Sequence, residues 1–85
     1  MPVPVERAAD LAHYARAVAS GPRTVRVQDA PFGEDVGPYD TGRVLVALEH
    51  ACVVSAADQR GRRRVLISAP DDAARAVTTW CLEQR

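Results

Sequence analysis

Apolar positions recur three and four residues apart from Val5 to Ser20, in VERAADLAHYARAVAS. Ala8, Leu11, Ala12, Ala15, Val18 and Ala19 fall on one stripe of a helix with 3.6 residues per turn. Gly21 and Pro22 follow at once and end it, so the spacing predicts a helix over 5–20. The stripe is mostly alanine, which allows close packing against a neighbour. His13 and Tyr14 take surface or boundary positions on this helix. Thr24–Val27, TVRV, alternates and is β-branched, which predicts a short strand.

The middle of the chain has two readings. Residues 29–42, DAPFGEDVGPYDTG, form either a long loop or a short helix and a turn, and so long a structureless loop is uncommon in a small domain. Residues 43–55, RVLVALEHACVVS, fit a strand with Val44, Val46, Leu48, Cys52 and Val54 on one face, which His50 interrupts. As a helix up to Ala51 they bury Val44, Leu45, Leu48, Ala51 and Cys52 and turn Arg43, Val46, Ala47 and His50 outward. A new strand then opens at Cys52.

VVSAA and RRVLIS flank DQRG, the pattern of a β-hairpin with Gly61 in the left-handed position and Asp58 facing Arg62 near the tip. The last segment predicts a helix over 70–84. Ser68 would cap it with Asp71 three residues on, and Asp71 and Asp72 would complement the positive helix end. Ala73, Val77, Trp80 and Cys81 make its buried stripe, with Trp80 as a core anchor.

Eighty-five residues bound the answer to a single domain, 1–85, with a thin core that a homodimer would reinforce. The 47% hydrophobic and 26% charged residues match a folded globular chain. Eleven arginines, with no lysine, balance 11 acids. Net neutrality counts against nucleic-acid binding as a bulk property, so the placement of charge decides. Arg60, Arg62, Arg63 and Arg64 form the densest basic run, and Asp29, Glu34, Asp35 and Asp40 an acidic stretch before it. Glu6, Arg7, Asp10 and Arg16 leave no apolar core for a signal peptide in the first twenty residues, and no run is long enough to span a membrane. The expectation is a cytoplasmic chain in which Cys52 and Cys81 are buried, reduced thiols.

No catalytic constellation emerges. His50 and Cys52 stand two residues apart and do not face each other as base and nucleophile. The acidic stretch lacks the ligand order of a calcium loop, and there is no phosphate-binding glycine motif. Neither enzyme activity, a metal nor a cofactor is expected.

Residues 32–68 resemble the second half of a winged helix-turn-helix domain. FGEDVG resembles its short helix with closing glycine Gly37, and TGRVLVALEHA its recognition helix with the Leu48–Glu49 pair. CVVS, DQRGRRR and RVLIS resemble the two arms and basic tip of its wing. Val36–Ile67 is similar to the gamma domain of bacterial DNA translocases, and the wing is similar to that of MarR-type regulators. The shared positions are Gly37, Arg43, Glu49, Asp58, Arg63 and a few apolar residues. This chain has Cys52 where the family usually has glycine, and it has Gly42 inside the recognition helix.

The resemblance implies a mainly α fold with a small β-hairpin wing, helices near 5–20, 30–36, 40–51 and 70–84, and a role as a small bacterial transcriptional regulator binding double-stranded DNA. Tyr39, Thr41, Arg43, Val46 and His50 on helix 40–51 would face a major groove. Arg60, Arg62, Arg63 and Arg64 on the 58–64 wing would hold the backbone. The alternative is an α+β, α-β-β-β-α two-layer sandwich that binds a protein partner, as an inhibitor or adaptor, through the acidic 31–42 loop or a sheet edge.

Overall fold

The first helix, α1 (Ala8–Ala19), buries Leu11, Ala15, Val18 and Ala19, the stripe expected from its spacing. The computed structural model describes residues 8–33 and 36–84, so the expected start of this helix at residues 5–7 lies outside the described residues. Its small residues face α3 (Pro70–Glu83), its main packing partner, which contributes buried Ala73, Ala74 and Val77. An exposed ion pair from Arg16 to Asp71 joins the same two helices.

Between them in sequence lies α2 (Pro38–His50), which settles the ambiguous middle as helix and overturns the three-stranded sandwich. Pro38 fits the first helical position, where its missing N–H costs nothing. Val44, Leu45 and Leu48 are buried to 1% exposure or less. With α1, α3, Val53 and Val54 they form one core, closed at one end by Phe32, whose ring lies 4.9 Å from that of Tyr14. The Tyr14 hydroxyl is held above its ordinary pKa by partial burial first, then by the charges of Asp10 and Asp40.

The architecture is therefore mainly α-helical with a small antiparallel β element, as the resemblance implied. Residues 53–66 form the expected hairpin. The Leu66 N–H donates to the Val53 carbonyl at 2.8 Å, Val54 bridges Val65, and the Ser55 N–H donates to the Arg64 carbonyl at 2.8 Å. Gly61 turns the tip at φ 78°. The return arm, β2 (Arg63–Arg64), is central. On its other side it pairs with β1 (Thr24–Val25), with Thr24 opposite Arg64 and Val25 opposite Arg63.

Several expectations are corrected. The strand starting at Thr24 stops at Val25, and Val27–Asp29 form one 3-10 turn fixed by the 2.7 Å ion pair of Arg26 with Asp29. No helix forms at residues 30–33 or 36, where Pro31 and the positive φ of Gly33 (88°) interrupt the backbone. Residues 34 and 35 lie outside the described residues. Gly37 closes no helix, and instead has extended backbone at the N-cap of α2. Ser68 does not cap α3, since Ala69 holds that position without a side-chain bond and Pro70 starts the helix. Trp80 is only half-buried, and its indole lies nearly parallel to the His50 ring at 6.1 Å. Cys81 is half-buried and Cys52 is exposed, so neither is a core thiol.

The exposure of Cys52 has a local cause. Helix α2 ends with the Cys52 N–H donating to the Glu49 carbonyl and the Val53 N–H donating to the Leu48 carbonyl, both at 2.9 Å. That pair of bonds is a Schellman motif, which requires a left-handed residue between them. Cys52 takes it at φ 65° and is the only non-glycine residue with positive φ among the described residues. The reversal turns the thiol outward and drops Val53 onto Leu48, both 0% exposed. Among the described residues no helix is long and apolar enough to cross a membrane.

Candidate nucleic-acid interface

Tyr39, Arg43, Val46 and His50 are spaced four, three and four residues apart on α2, so they share one face of it. Tyr39 is 78% exposed and Val46 43%. Arg43 is half-buried, with its guanidinium carbon 6.0 Å from the Tyr39 ring centre. His50, exposed at the end of this stripe, leans toward Trp80 of α3. Thr41 is not on this face. It is 5% exposed and its hydroxyl donates to the Val36 carbonyl at 3.5 Å, which ties down the start of α2 and withdraws it from any partner.

The wing arginines divide by function. Arg63 points back to α2, where its guanidinium pairs with Glu49 at 2.5 Å and donates to the Ser55 carbonyl at 3.3 Å, leaving 13% of its side chain exposed. It is a strut between wing and helix rather than a free cation at the tip. Arg60, Arg62 and Arg64 are exposed. Asp58 does not neutralise them in a direct ion pair. Its carboxylate accepts the backbone N–H groups of Arg60 (2.8 Å) and Arg62 (2.9 Å), and these bonds hold its pKa below the ordinary 3.8. The backbone of the tip is thereby fixed while the guanidinium groups project from it.

Arg23 joins them and was not anticipated from the sequence. It precedes Thr24, the partner of Arg64, and its carbonyl accepts the Val65 N–H at 2.7 Å. Its exposed side chain therefore stands at the base of the wing. A lone arginine before a short strand carries no signal of this, because the strand's partner lies some forty residues away along the chain.

The distribution of ion pairs separates this region from the rest. Arg16, Arg26, Arg63 and Arg75 each pair with a carboxylate. Arg23, Arg60, Arg62 and Arg64 have no such ion pair among the described residues; three lie on the wing and Arg23 directly precedes its neighbouring strand. Among the described residues, the arginines without a carboxylate partner are thus concentrated at the wing and the start of β1. Between the wing and the exposed face of α2 runs a groove lined by Pro38, Tyr39, Gly42, Arg43, Val46 and Arg63. Among the described residues, no three His, Cys, Asp or Glu side chains come together in a set able to hold a metal ion.

Comparisons with protein-family models, with curated proteins and with solved structures return no significant match.

Proposed function

We propose that this protein binds double-stranded DNA without catalysing a reaction, as a small transcriptional regulator. The observation that carries the reading is the placement of Arg23, Arg60, Arg62 and Arg64, unpaired with carboxylates and exposed, on the wing and at the start of its neighbouring strand. A polyanion is the partner that such charge recruits, and phosphate contacts supply most of the sequence-independent affinity in DNA complexes. A helix about 10–12 Å across fits the major groove of B-form DNA, and α2 would enter it with Tyr39, Arg43 and Val46 toward the bases. Arg43 would add a bidentate contact to guanine. Arg23, Arg60, Arg62 and Arg64 would lie along phosphates or reach into the neighbouring minor groove. Arg63 and Glu49 would hold wing and helix at a fixed separation.

The alternative, a protein-binding module, would use the acidic 31–42 stretch or the outer edge of β1, which among the described residues pairs only with β2. The test is selection from random duplex DNA at two salt concentrations, followed by affinity measurement. Binding should weaken by about 0.9 log units per tenfold rise in salt for each phosphate neutralised. Replacing Arg23, Arg60, Arg62 and Arg64 by Ala should lower that slope by as much as about 3 to 4. No enriched sequence, or an unchanged slope in the quadruple variant, refutes the proposal and favours a protein partner.

A further inference from the structure

The groove between α2 and the wing is lined by the apolar side chains of Pro38 and Val46, by Tyr39 and Gly42, and by Arg43 and the Glu49-paired Arg63. Gly42 contributes no side chain to this lining, and a Cβ atom placed there would stand in open space, meeting nothing within 4 Å beyond its own helix backbone and chain neighbours. No packing demand explains glycine inside α2, where it costs helix stability of about 1 kcal/mol relative to alanine. Gly42 lines this groove together with Val46, one turn further on and 43% exposed, so the open space at Gly42 adjoins an exposed apolar side chain.

The edges of base pairs in the major groove are polar except for one group, the C5-methyl of thymine, which 5-methylcytosine also carries. Resting on the DNA-binding reading above, we infer that Gly42 and Val46 form a seat for the C5-methyl of a pyrimidine. The uncompensated charge on the wing supplies the complementarity that would bring a duplex into this groove. The missing side chain at Gly42 leaves room for the methyl, and the Val46 methyls cover it. Thr41, which also carries a methyl group, is buried and takes no part.

The test uses a duplex enriched by the full chain from a random library, with its thymines replaced one at a time by deoxyuridine. That exchange deletes the methyl and nothing else. Burying one methyl is worth about 0.8 kcal/mol, so at one position the thymine form should bind about fourfold more tightly. Gly42→Ala fills that open space from the protein side and should erase that preference while raising the melting temperature, so loss of folding is not available as an explanation. Val46→Ala, at a surface position, should reduce the preference. A 5-methylcytosine–guanine pair at the sensitive position separates the two methyl sources: tight binding assigns the methyl alone, and weak binding assigns thymine with its O4 edge. Equal binding of thymine and uracil forms at every position, or an undiminished preference in Gly42→Ala, overturns the seat and leaves DNA binding standing. Failure to enrich any duplex overturns both.

Discussion

Replacing Cys52 by glycine should stabilise this protein. Cys52 occupies the left-handed position of the turn that ends α2, at φ 65°, with its thiol exposed. A left-handed conformation costs an L-residue about 1–2 kcal/mol, and glycine removes that cost. Glycine also has more freedom in the unfolded chain, which takes back about 0.4–1 kcal/mol. Because the thiol is exposed, little buried area is lost. The net gain should be about 0.5–1 kcal/mol, or about 2–8 °C in melting temperature for a domain of this size. Thermal and urea unfolding followed by far-ultraviolet circular dichroism would measure it. Cys52→Ala retains the backbone strain and should change stability little, whereas Cys52→Val, β-branched at positive φ, should destabilise by about 1 kcal/mol or more. An unchanged or lower melting temperature for Cys52→Gly, or an equal gain for Cys52→Ala, would refute the assignment of strain to this residue.

The other expected outcomes concern the wing and α2. Glu49→Gln should destabilise by about 1–2 kcal/mol, below the upper range for charged hydrogen bonds because Glu49 is 37% exposed, with a double-mutant cycle against Arg63→Met isolating the pair in urea titrations. Gly42→Ala should add up to about 1 kcal/mol, read from the same unfolding curves. The lowered pKa of Asp58 means that its contribution is present above pH 3.8 and is lost as pH falls through the lower folded value. The amide resonances of Arg60 and Arg62 should therefore titrate together in that acidic window, and Asp58→Asn should abolish the transition.

The parts legible in the sequence are those set by local chemistry. The alanine stripe of α1 and the glycine at the hairpin tip announce themselves through periodicity and turn preference. Position 52, where the resemblance expects glycine, does have the backbone that glycine favours, yet a cysteine among apolar residues reads as buried. The helix in the middle was ambiguous because Val44, Val46 and Leu48 satisfy a strand template nearly as well as Val44, Leu45 and Leu48 satisfy a helical one. Arg63 and Arg64 look equivalent on paper, but strand alternation turns one to Glu49 and the other to solvent. Thr41 was misplaced although its spacing of three, four and seven residues from Val44, Leu45 and Leu48 puts it on their buried face, where its hydroxyl reaches the Val36 carbonyl. Arg23 could not be placed at all, because its location depends on a long-range pairing.

That long-range pairing also bears on how the domain can be dissected. The returning arm of the hairpin leans on two residues, Thr24 and Val25, contributed from before α2. A fragment limited to residues 32–68, the stretch with the recognisable pattern, would lose this neighbour as well as the two long helices that cover its apolar side. The stretch is thus not a portable cassette. Grafting it onto another scaffold would need a surrogate for Thr24 and Val25, and deletions near them should disturb the basic tip from across the molecule.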